Sequence, residues 1–150
     1  MSAAMIADRV VIIGGGPVGM MLALNLAALG VKSTLINRET GPRWHPKGST
    51  QNARTMEHYR RLGFAEKVRA EGLPPDYPTD IAYFTRYTKH ELARFSLPSA
   101  RAAREMVKTL SGSWSAAELP HRVSQIFVED VLRGEAAACP TVSLRPGWRM

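Results

Sequence analysis

Short apolar runs and glycine-rich turns alternate in the N-terminal part of the chain. Residues 9–13 are mostly β-branched and end at Gly14, which predicts a strand buried on both faces, as in a parallel sheet. Good helix formers at 20–29 stop at Gly30, and a second strand is predicted at 31–37. The order of strand, glycine turn, helix and strand predicts a βαβ unit with a parallel pair.

The middle of the chain predicts short elements that are separated by glycine and proline. We expect Ser49 or Thr50 to cap a helix that runs to Leu62, and a second helix at 64–71. Three prolines at 74–78 then mark a linker.

A hairpin and a longer helix are predicted in the second half. Apolar and β-branched residues at 81–85 and 91–97 indicate two strands with a turn between them. Residues 98–118 are weakly patterned and predict loop with some helix. The helical spacing of apolar residues at 120–138 predicts a helix, and a further strand starts at 141–144.

The composition fits one folded domain and adds a basic block. The chain has 150 residues, of which 45% are hydrophobic. Its single cysteine excludes an intrachain disulfide, and with four scattered histidines no metal site is expected. The net charge is +7, and residues 38–70 carry eight Lys or Arg against three acids. This block indicates either an anionic partner, such as a phosphate-bearing cofactor, or a solvated helix face.

A membrane span and a secretory signal are not expected. The run at 10–31 has no charge, but its clustered glycines and Pro17 would break a continuous helix. The charges of Asp8 and Arg9 cancel before it, so the positive segment of a signal is missing. We therefore expect the cytoplasm as the compartment.

Gly14, Gly16 and Gly19 form a G-x-G-x-x-G motif between the first strand and the first helix. The first glycine allows the tight turn, the second lets a pyrophosphate approach the backbone, and the third lets the helix pack against the strand. The pyrophosphate then lies at the positive end of the helix. This placement predicts a dinucleotide site.

The residues at the end of the second strand do not identify which dinucleotide binds. An acid is expected there to bind the ribose hydroxyls, but the position holds Asn37, with Glu39 two residues later. A missing acid followed by Arg38 also fits a ribose that carries a 2′-phosphate. By themselves these residues do not separate FAD from NADP.

Segments after the second strand resemble a known family. They are NRETGPR at 37–43, HPKG at 45–48, NARTME at 52–57, RRLG at 60–63 and PHRVSQ at 120–125. Together they resemble the single-component (class A) FAD-dependent aromatic monooxygenases, which include para-hydroxybenzoate hydroxylase and the phenol hydroxylases. Residues 75–93 are similar to the first piece of that family's substrate-domain sheet. The resemblance covers nearly the whole chain, in order.

The resemblance implies a cofactor, FAD, and a set of residues around it. Gly14, Gly16, Val18 and Gly19 would surround the pyrophosphate, and Asn37 stands where the family usually has Glu. Arg38 would lie near the adenosine. Arg54 matches an arginine on the flavin side, and Arg122 and Gln125 match residues that reach the ribityl and pyrophosphate region. For each of these side chains the alternative is a surface salt bridge or a helix-packing amide.

The implied fold is α/β, an incomplete Rossmann-like FAD-binding domain with the start of a β-rich substrate domain. Residues 1–75 would form the FAD-binding core, 76–115 a partial substrate-domain hairpin and loop, and 116–150 a returning helix and strand. The family's enzymes are much longer, so we expect an N-terminal portion: a truncated gene product, a split subunit or a fragment. Alone, it is expected to bind FAD poorly and to hydroxylate nothing.

The implied activity is hydroxylation of a small, phenol-like aromatic substrate, with NADPH or NADH as the reductant. The chemistry belongs to the cofactor, so no catalytic residue is assigned, the four histidines included. Two other functions stay open: an NADP-linked reductase that uses Arg38, and a non-catalytic half that pairs with a second chain or with itself. Neither nucleic acid nor a membrane is expected as a partner, since no recognised motif accompanies the basic block.

Overall fold

A parallel three-stranded sheet forms one half of the molecule. The computed structural model describes residues 9–41, 44–45, 47–87, 89–110 and 116–149. Strand β1 (Val10–Ile13), helix α1 (Pro17–Ala28) and strand β2 (Ser33–Asn37) form the predicted βαβ unit. Strand β7 (Val142–Pro146) joins the far side of β2, so the order is β1-β2-β7, all parallel. The predicted α/β class is confirmed.

Helix α1 begins earlier than the sequence predicts. It starts at Pro17 instead of Met20, because the fixed φ of proline suits the first helical position and its missing N–H costs nothing there. The uncharged run at 10–31 is therefore divided among a strand, a turn and a short helix. Within the described part of the chain, no helix is long and apolar enough to cross a membrane.

Two segments that were predicted to start helices form a small antiparallel ladder instead. Thr50–Gln51 (β3) pairs with His121–Arg122 (β6), so neither segment is helical. Helix α2 (Ala53–Arg61) is capped by Asn52, whose Oδ1 accepts from the Thr55 N–H at 2.8 Å, and not by Ser49 or Thr50. The pairing joins residues about seventy positions apart, which a local pattern cannot show.

Helix α5 (Gln125–Ala138) follows β6 and is shorter than the predicted helix at 120–138. It packs against α1 and leads into β7, which starts and ends slightly later than predicted. Helix α3 (Ala65–Ala70) follows α2 through Gly63 and Phe64 and matches the second predicted helix to within one residue at each end.

The predicted hairpin is confirmed as strands β4 (Ile81–Phe84) and β5 (Glu91–Phe95), which pair antiparallel. Helix α4 (Ala100–Val107) is the helical part of 98–118, and residues 111–115 of that segment lie outside the described residues. So do Pro42, Arg43 and Pro46, which belong to the segments that resemble the family. The division into 1–75, 76–115 and 116–150 stays a prediction.

The core joins the sheet to the helices and leaves one sheet face open. Its members are apolar and at most 6% exposed, among them Met20, Leu24, Leu35, Met56, Tyr59, Val128 and Leu132. In β1 only Ile12 belongs to it, whereas Val11 and Ile13 are 56% and 68% exposed. The prediction that β1 is buried on both faces is therefore wrong: α1 covers one face, and no described element covers the other.

Candidate nucleotide-binding site

The glycine turn after β1 disfavours a side chain at two positions, one because of its backbone conformation and one because of close packing. Gly14 has φ of +109°, which L-residues rarely adopt, and its N–H donates to the Ile36 carbonyl at 2.8 Å. A Cβ built on Gly19 would lie 1.9 Å from the Gly14 carbonyl oxygen. The turn and the close packing of α1 on β1 thus need these two glycines, as the motif predicts.

The start of α1 is open and offers hydrogen-bond donors. A Cβ built on Gly16, the N-cap residue, would meet nothing within 4 Å. No described side chain caps this end, and its first turn holds no acid. Because the first N–H groups of a helix have no partner inside it, those of Val18 and Gly19 are available to a ligand. Open space beside a positive helix end fits a diphosphate.

Gly15, which stands between the first two glycines of the motif, is a candidate site residue that the motif did not predict. Its N–H donates to Asn37 Oδ1 at 3.2 Å, and a Cβ built on it would lie 2.8 Å from Asn37 Cβ. Asn37 Nδ2 donates in turn to the Glu39 carbonyl at 3.0 Å. The amide therefore ties the turn to the end of β2, where the ribose is expected. The motif alone gives no signal for this contact, because any residue is allowed at that position.

Arg38 follows Asn37 and makes an ion pair with its neighbour. Its guanidinium lies 3.0 Å from the Glu39 carboxylate, and both side chains are largely in solvent. The Glu39 carboxylate therefore neutralises the positive charge of Arg38, which a ribose 2′-phosphate would need as its partner. Arg38 nevertheless faces the same cleft as Asn37.

That cleft, of about 380 Å³, opens at the carboxyl ends of β1 and β2. Residues from the turn, both strands and the end of the chain line it: Ile13, Gly14, Ile36, Asn37, Arg38, Glu39, Trp148 and Arg149. The Trp148 N–H donates to the Asn37 carbonyl at 3.1 Å, which carries the segment after β7 to the end of β2. Trp148 was not predicted as a site residue, because the predicted strand at 141–144 stops before it. Ligands of open parallel sheets bind at such strand ends.

Arg54, expected on the flavin side, lies on the exposed face of α2. Its Nη1 donates to Glu57 Oε2 at 3.0 Å, and the other carboxylate oxygen accepts from the Ala117 N–H at 3.0 Å. The hydrogen bond from Arg54, followed by that from Ala117, lowers the pKa of the Glu57 carboxyl. Arg54 therefore forms a surface salt bridge, which the sequence analysis gave as the alternative to a contact with the flavin.

Arg122 and Gln125 flank the junction of β6 and α5. Arg122 Nη2 donates to the Thr79 carbonyl at 3.2 Å and borders an apolar cavity of about 270 Å³ between the hairpin and β6. Gln125 Nε2 donates to the buried Glu129 carboxylate at 2.7 Å. Within the described residues, neither of these side chains nor that of Arg54 hydrogen-bonds to the turn at 14–19. Their roles toward a cofactor stay predictions.

His121 is a buried histidine next to Arg122. Its Nε2 lies 3.1 Å from the Arg69 carbonyl oxygen, which only accepts, so the ring carries its proton on that nitrogen. Burial and the neighbouring Arg69 lower the pKa of His121. A neutral ring at this position packs against Gly72, where an added Cβ would lie 2.0 Å from Nε2.

Comparison with known proteins identifies the family. The model of the FAD binding domain family matches residues 8–150. The chain belongs to this FAD-binding domain family. FAD is therefore the cofactor, which resolves the choice between FAD and NADP that Asn37 and Arg38 left open.

Several relatives of this FAD-binding domain are named as monooxygenases. FAD-dependent monooxygenase apdD of Emericella nidulans is 33% identical over 94% of this chain and 23% of its own length. Phenol 2-monooxygenase of a Pseudomonas species is 30% identical over 57% of this chain and 14% of its own length. A solved structure of RebC, soaked with chromopyrrolic acid and holding 7-carboxy-K252c, superposes with a TM-score of 0.76. It is 33% identical over 92% of this chain and 25% of its own length.

The predicted membership in the class A aromatic monooxygenases is thereby confirmed, as is the Rossmann-like FAD-binding fold. The chain spans about a quarter of the length of apdD and of RebC, both of which match more than nine-tenths of this chain.

Proposed function

We propose that this chain is the FAD-binding part of an NAD(P)H-dependent monooxygenase that hydroxylates a small aromatic substrate. The observation that carries the proposal is the open, uncapped start of α1 at Gly16, next to Asn37 at the end of β2. The relatives named above support a monooxygenase, and one of them is named for phenol. The lone Cys139, which leaves no disulfide within the chain, supports the cytoplasm as the compartment.

In this proposal the chain's own residues hold and orient the cofactor. The N–H groups of Val18 and Gly19 bind the diphosphate, and Gly16 leaves room for it. Asn37 bonds the ribose through its amide, without the charge of the usual Glu. The redox chemistry of hydroxylation would be supplied by FAD, and no residue of this chain is assigned a proton transfer.

Arg38, Arg54, Arg122 and Gln125 complete the proposed set. Arg38 borders the cleft that would take the adenosine. Arg54 and Gln125 would exchange their contacts with Glu57 and Glu129 for contacts with the cofactor. A guanidinium suits phosphate oxygens because it donates two parallel hydrogen bonds. Arg122 borders the apolar cavity beside the hairpin and would act from there.

We also propose that the chain alone holds FAD weakly and does not turn over. The exposed Val11 and Ile13 show that one face of the sheet under the turn has no described cover. A turn that is supported on one side only orders its N–H groups less well, which weakens binding. NADPH oxidation measured with a panel of phenols is expected to stay at background, and turnover would contradict this part of the proposal.

Titration of the chain with FAD, followed by flavin fluorescence, tests the site itself. Wild type is expected to show weak, saturable binding. Gly16→Val should abolish it with little change in melting temperature, because its side chain enters the diphosphate space and its Cβ meets no protein atom within 4 Å. Gly134→Ala, in α5 and equally free of contacts, is the matched control and should bind FAD as wild type does.

Two outcomes would contradict the proposal. Equal FAD affinity of wild type and Gly16→Val would remove the diphosphate from the turn. Tight NADPH binding without flavin would favour the NADP-linked reductase instead.

A further inference from the structure

We propose that Trp148 binds the adenine of the cofactor by stacking, so that the cleft at the ends of β1 and β2 is an adenine subsite. The inference rests on the proposed function and extends it to a residue that neither the glycine motif nor the arginines indicate. It starts from the cleft of about 380 Å³ that Trp148 shares with Gly14 and Asn37.

The strand order sets the direction in which the nucleotide would run. The diphosphate is placed at the turn after β1, and the ribose at Asn37 after β2. Because β7 is the next strand beyond β2, the part of the nucleotide beyond the ribose reaches the end of β7. There the chain turns at Gly147, with φ of +79°, and presents Trp148. The base is the part of an adenosine that lies beyond its ribose.

Trp148 is held in position but is not covered. Its N–H donates to the carbonyl of Asn37, so the indole and the proposed ribose residue share one backbone contact. The Arg145 guanidinium lies 6.0 Å from the centre of the indole ring. Even so, 58% of Trp148 is exposed. An anchored aromatic ring with free surface is suited to stacking on a flat ligand.

The rest of the cleft favours an uncharged ring over a second phosphate. Ile13 and Ile36 contribute apolar walls. The nearest cation from β2, Arg38, is paired with Glu39. A neutral purine would cover the indole and these aliphatic side chains without displacing that ion pair. Stacking of a base on an aromatic side chain contributes roughly 1–3 kcal/mol in single-stranded nucleic-acid complexes.

The first test measures the fluorescence of Trp148 itself and leaves that residue unchanged. Replacing the two other tryptophans by Trp44→Phe and Trp114→Phe leaves Trp148 as the sole indole. Addition of ADP, which has no flavin, should then quench its fluorescence with the same saturation curve that calorimetry gives for ADP. Saturable ADP binding without any change in this fluorescence would overturn the proposal.

The second test changes Trp148 and compares ADP with FAD. Trp148→Ala should weaken both about tenfold, within the range for one stacked base. Trp148→Phe keeps an aromatic face and should restore most of the affinity. Trp44→Ala, which removes an indole that is 87% exposed and does not border the cleft, is the matched control and should change nothing. Equal affinities of Trp148→Ala and wild type, or equal losses in Trp148→Ala and Trp148→Phe, would overturn the proposal.

The two proposals fail in different ways. If wild type binds neither FAD nor ADP, the proposed function fails and the adenine subsite fails with it. If both ligands bind and Trp148 does not respond, only the subsite fails, and the diphosphate site at the turn stands.

Discussion

Gly19 shows how a missing side chain can fix the distance between a helix and a strand. A Cβ at this position would lie 1.9 Å from a backbone oxygen of Gly14, which cannot rotate away as a flexible side chain could. The start of α1 therefore has to move before any other residue fits. The N–H groups that would bind the diphosphate belong to the start of α1. The packing of the helix and the binding of the diphosphate therefore both require that residue 19 has no Cβ.

Gly19→Ala is expected to lower the free energy of unfolding by about 2 kcal/mol, the middle of the range for overpacking. Urea denaturation measures it. Gly134→Ala is the control, because a helix-interior alanine that meets no atom should raise stability by about 0.5–1 kcal/mol. A Gly19→Ala variant as stable as wild type would show that α1 can shift without cost.

His121 makes the stability of the chain depend on pH. Its folded pKa lies below the ordinary value of 6.5, because burial and Arg69 disfavour the charged ring. The unfolded chain therefore takes up the proton first as the pH falls. The contribution of the neutral His121 ring to the free energy of unfolding is fully present above pH 6.5. It is lost as the pH drops through the pKa of His121 in the folded chain.

We expect the free energy of unfolding to fall more steeply below pH 6.5 in wild type than in His121→Gln, whose amide can still donate to the Arg69 carbonyl. Urea denaturation at a series of pH values measures both slopes. The other three histidines are exposed and unchanged in both proteins, so they cancel in the comparison. Parallel slopes would show that His121 is not the group responsible.

At the scale of elements, one ion pair joins α3 to the segment before β6. Arg69 Nη2 lies 2.6 Å from Glu118 Oε2, and the two side chains are only 9% and 14% exposed. The same nitrogen donates to the Leu119 carbonyl at 2.9 Å. By contrast, Arg101 and Asp76 form an equally short pair that is about two-thirds exposed. Distance alone would rank the two pairs together, whereas burial separates them.

Glu118→Gln should destabilise the chain by about 3 kcal/mol, because it removes the buried counter-charge of Arg69 and leaves only the exposed Glu66, 3.8 Å from its Nε. The matched change in the exposed pair, Asp76→Asn, should leave stability unchanged, since solvent replaces the lost partner. Thermal and urea denaturation of both variants measure the difference. Equal effects of the two substitutions would contradict the role given to burial.

At the scale of the whole molecule, the sheet has two open edges. Within the described residues, no strand pairs with the outer edge of β1 or with that of β7. Val11 and Ile13 also expose their side chains on the uncovered face of β1. An open edge with apolar residues is a surface on which further chain can pair.

Self-association of the isolated chain through β1 is therefore expected, and Val11→Lys should reduce it. Sedimentation velocity over a range of protein concentrations measures the effect. Leu92→Lys, on the hairpin and 68% exposed, is the control and should associate as wild type does. A wild-type chain that stays monomeric at all concentrations would contradict the expectation.

Local chemistry was enough to predict the βαβ unit, the hairpin and the dinucleotide turn. The residues involved are close in sequence: Gly14 and Gly19 act on each other within one turn, and β1, α1 and β2 follow in order. Apolar runs, glycine stops and motif spacing record such short-range demands directly. The family resemblance then identified FAD, which Asn37 and Arg38 alone could not.

Only the tertiary structure decided what depends on residues distant in sequence. The pairing of Thr50 with Arg122 turned two predicted helix starts into strands, and the contact between Gly15 and Asn37 made an ordinary motif position part of the site. Trp148 reaches the cleft only because β7 lies beside β2. The physical reason is the same in each case: side chains and backbone groups compete for space and hydrogen bonds in three dimensions, and the sequence order does not list those neighbours.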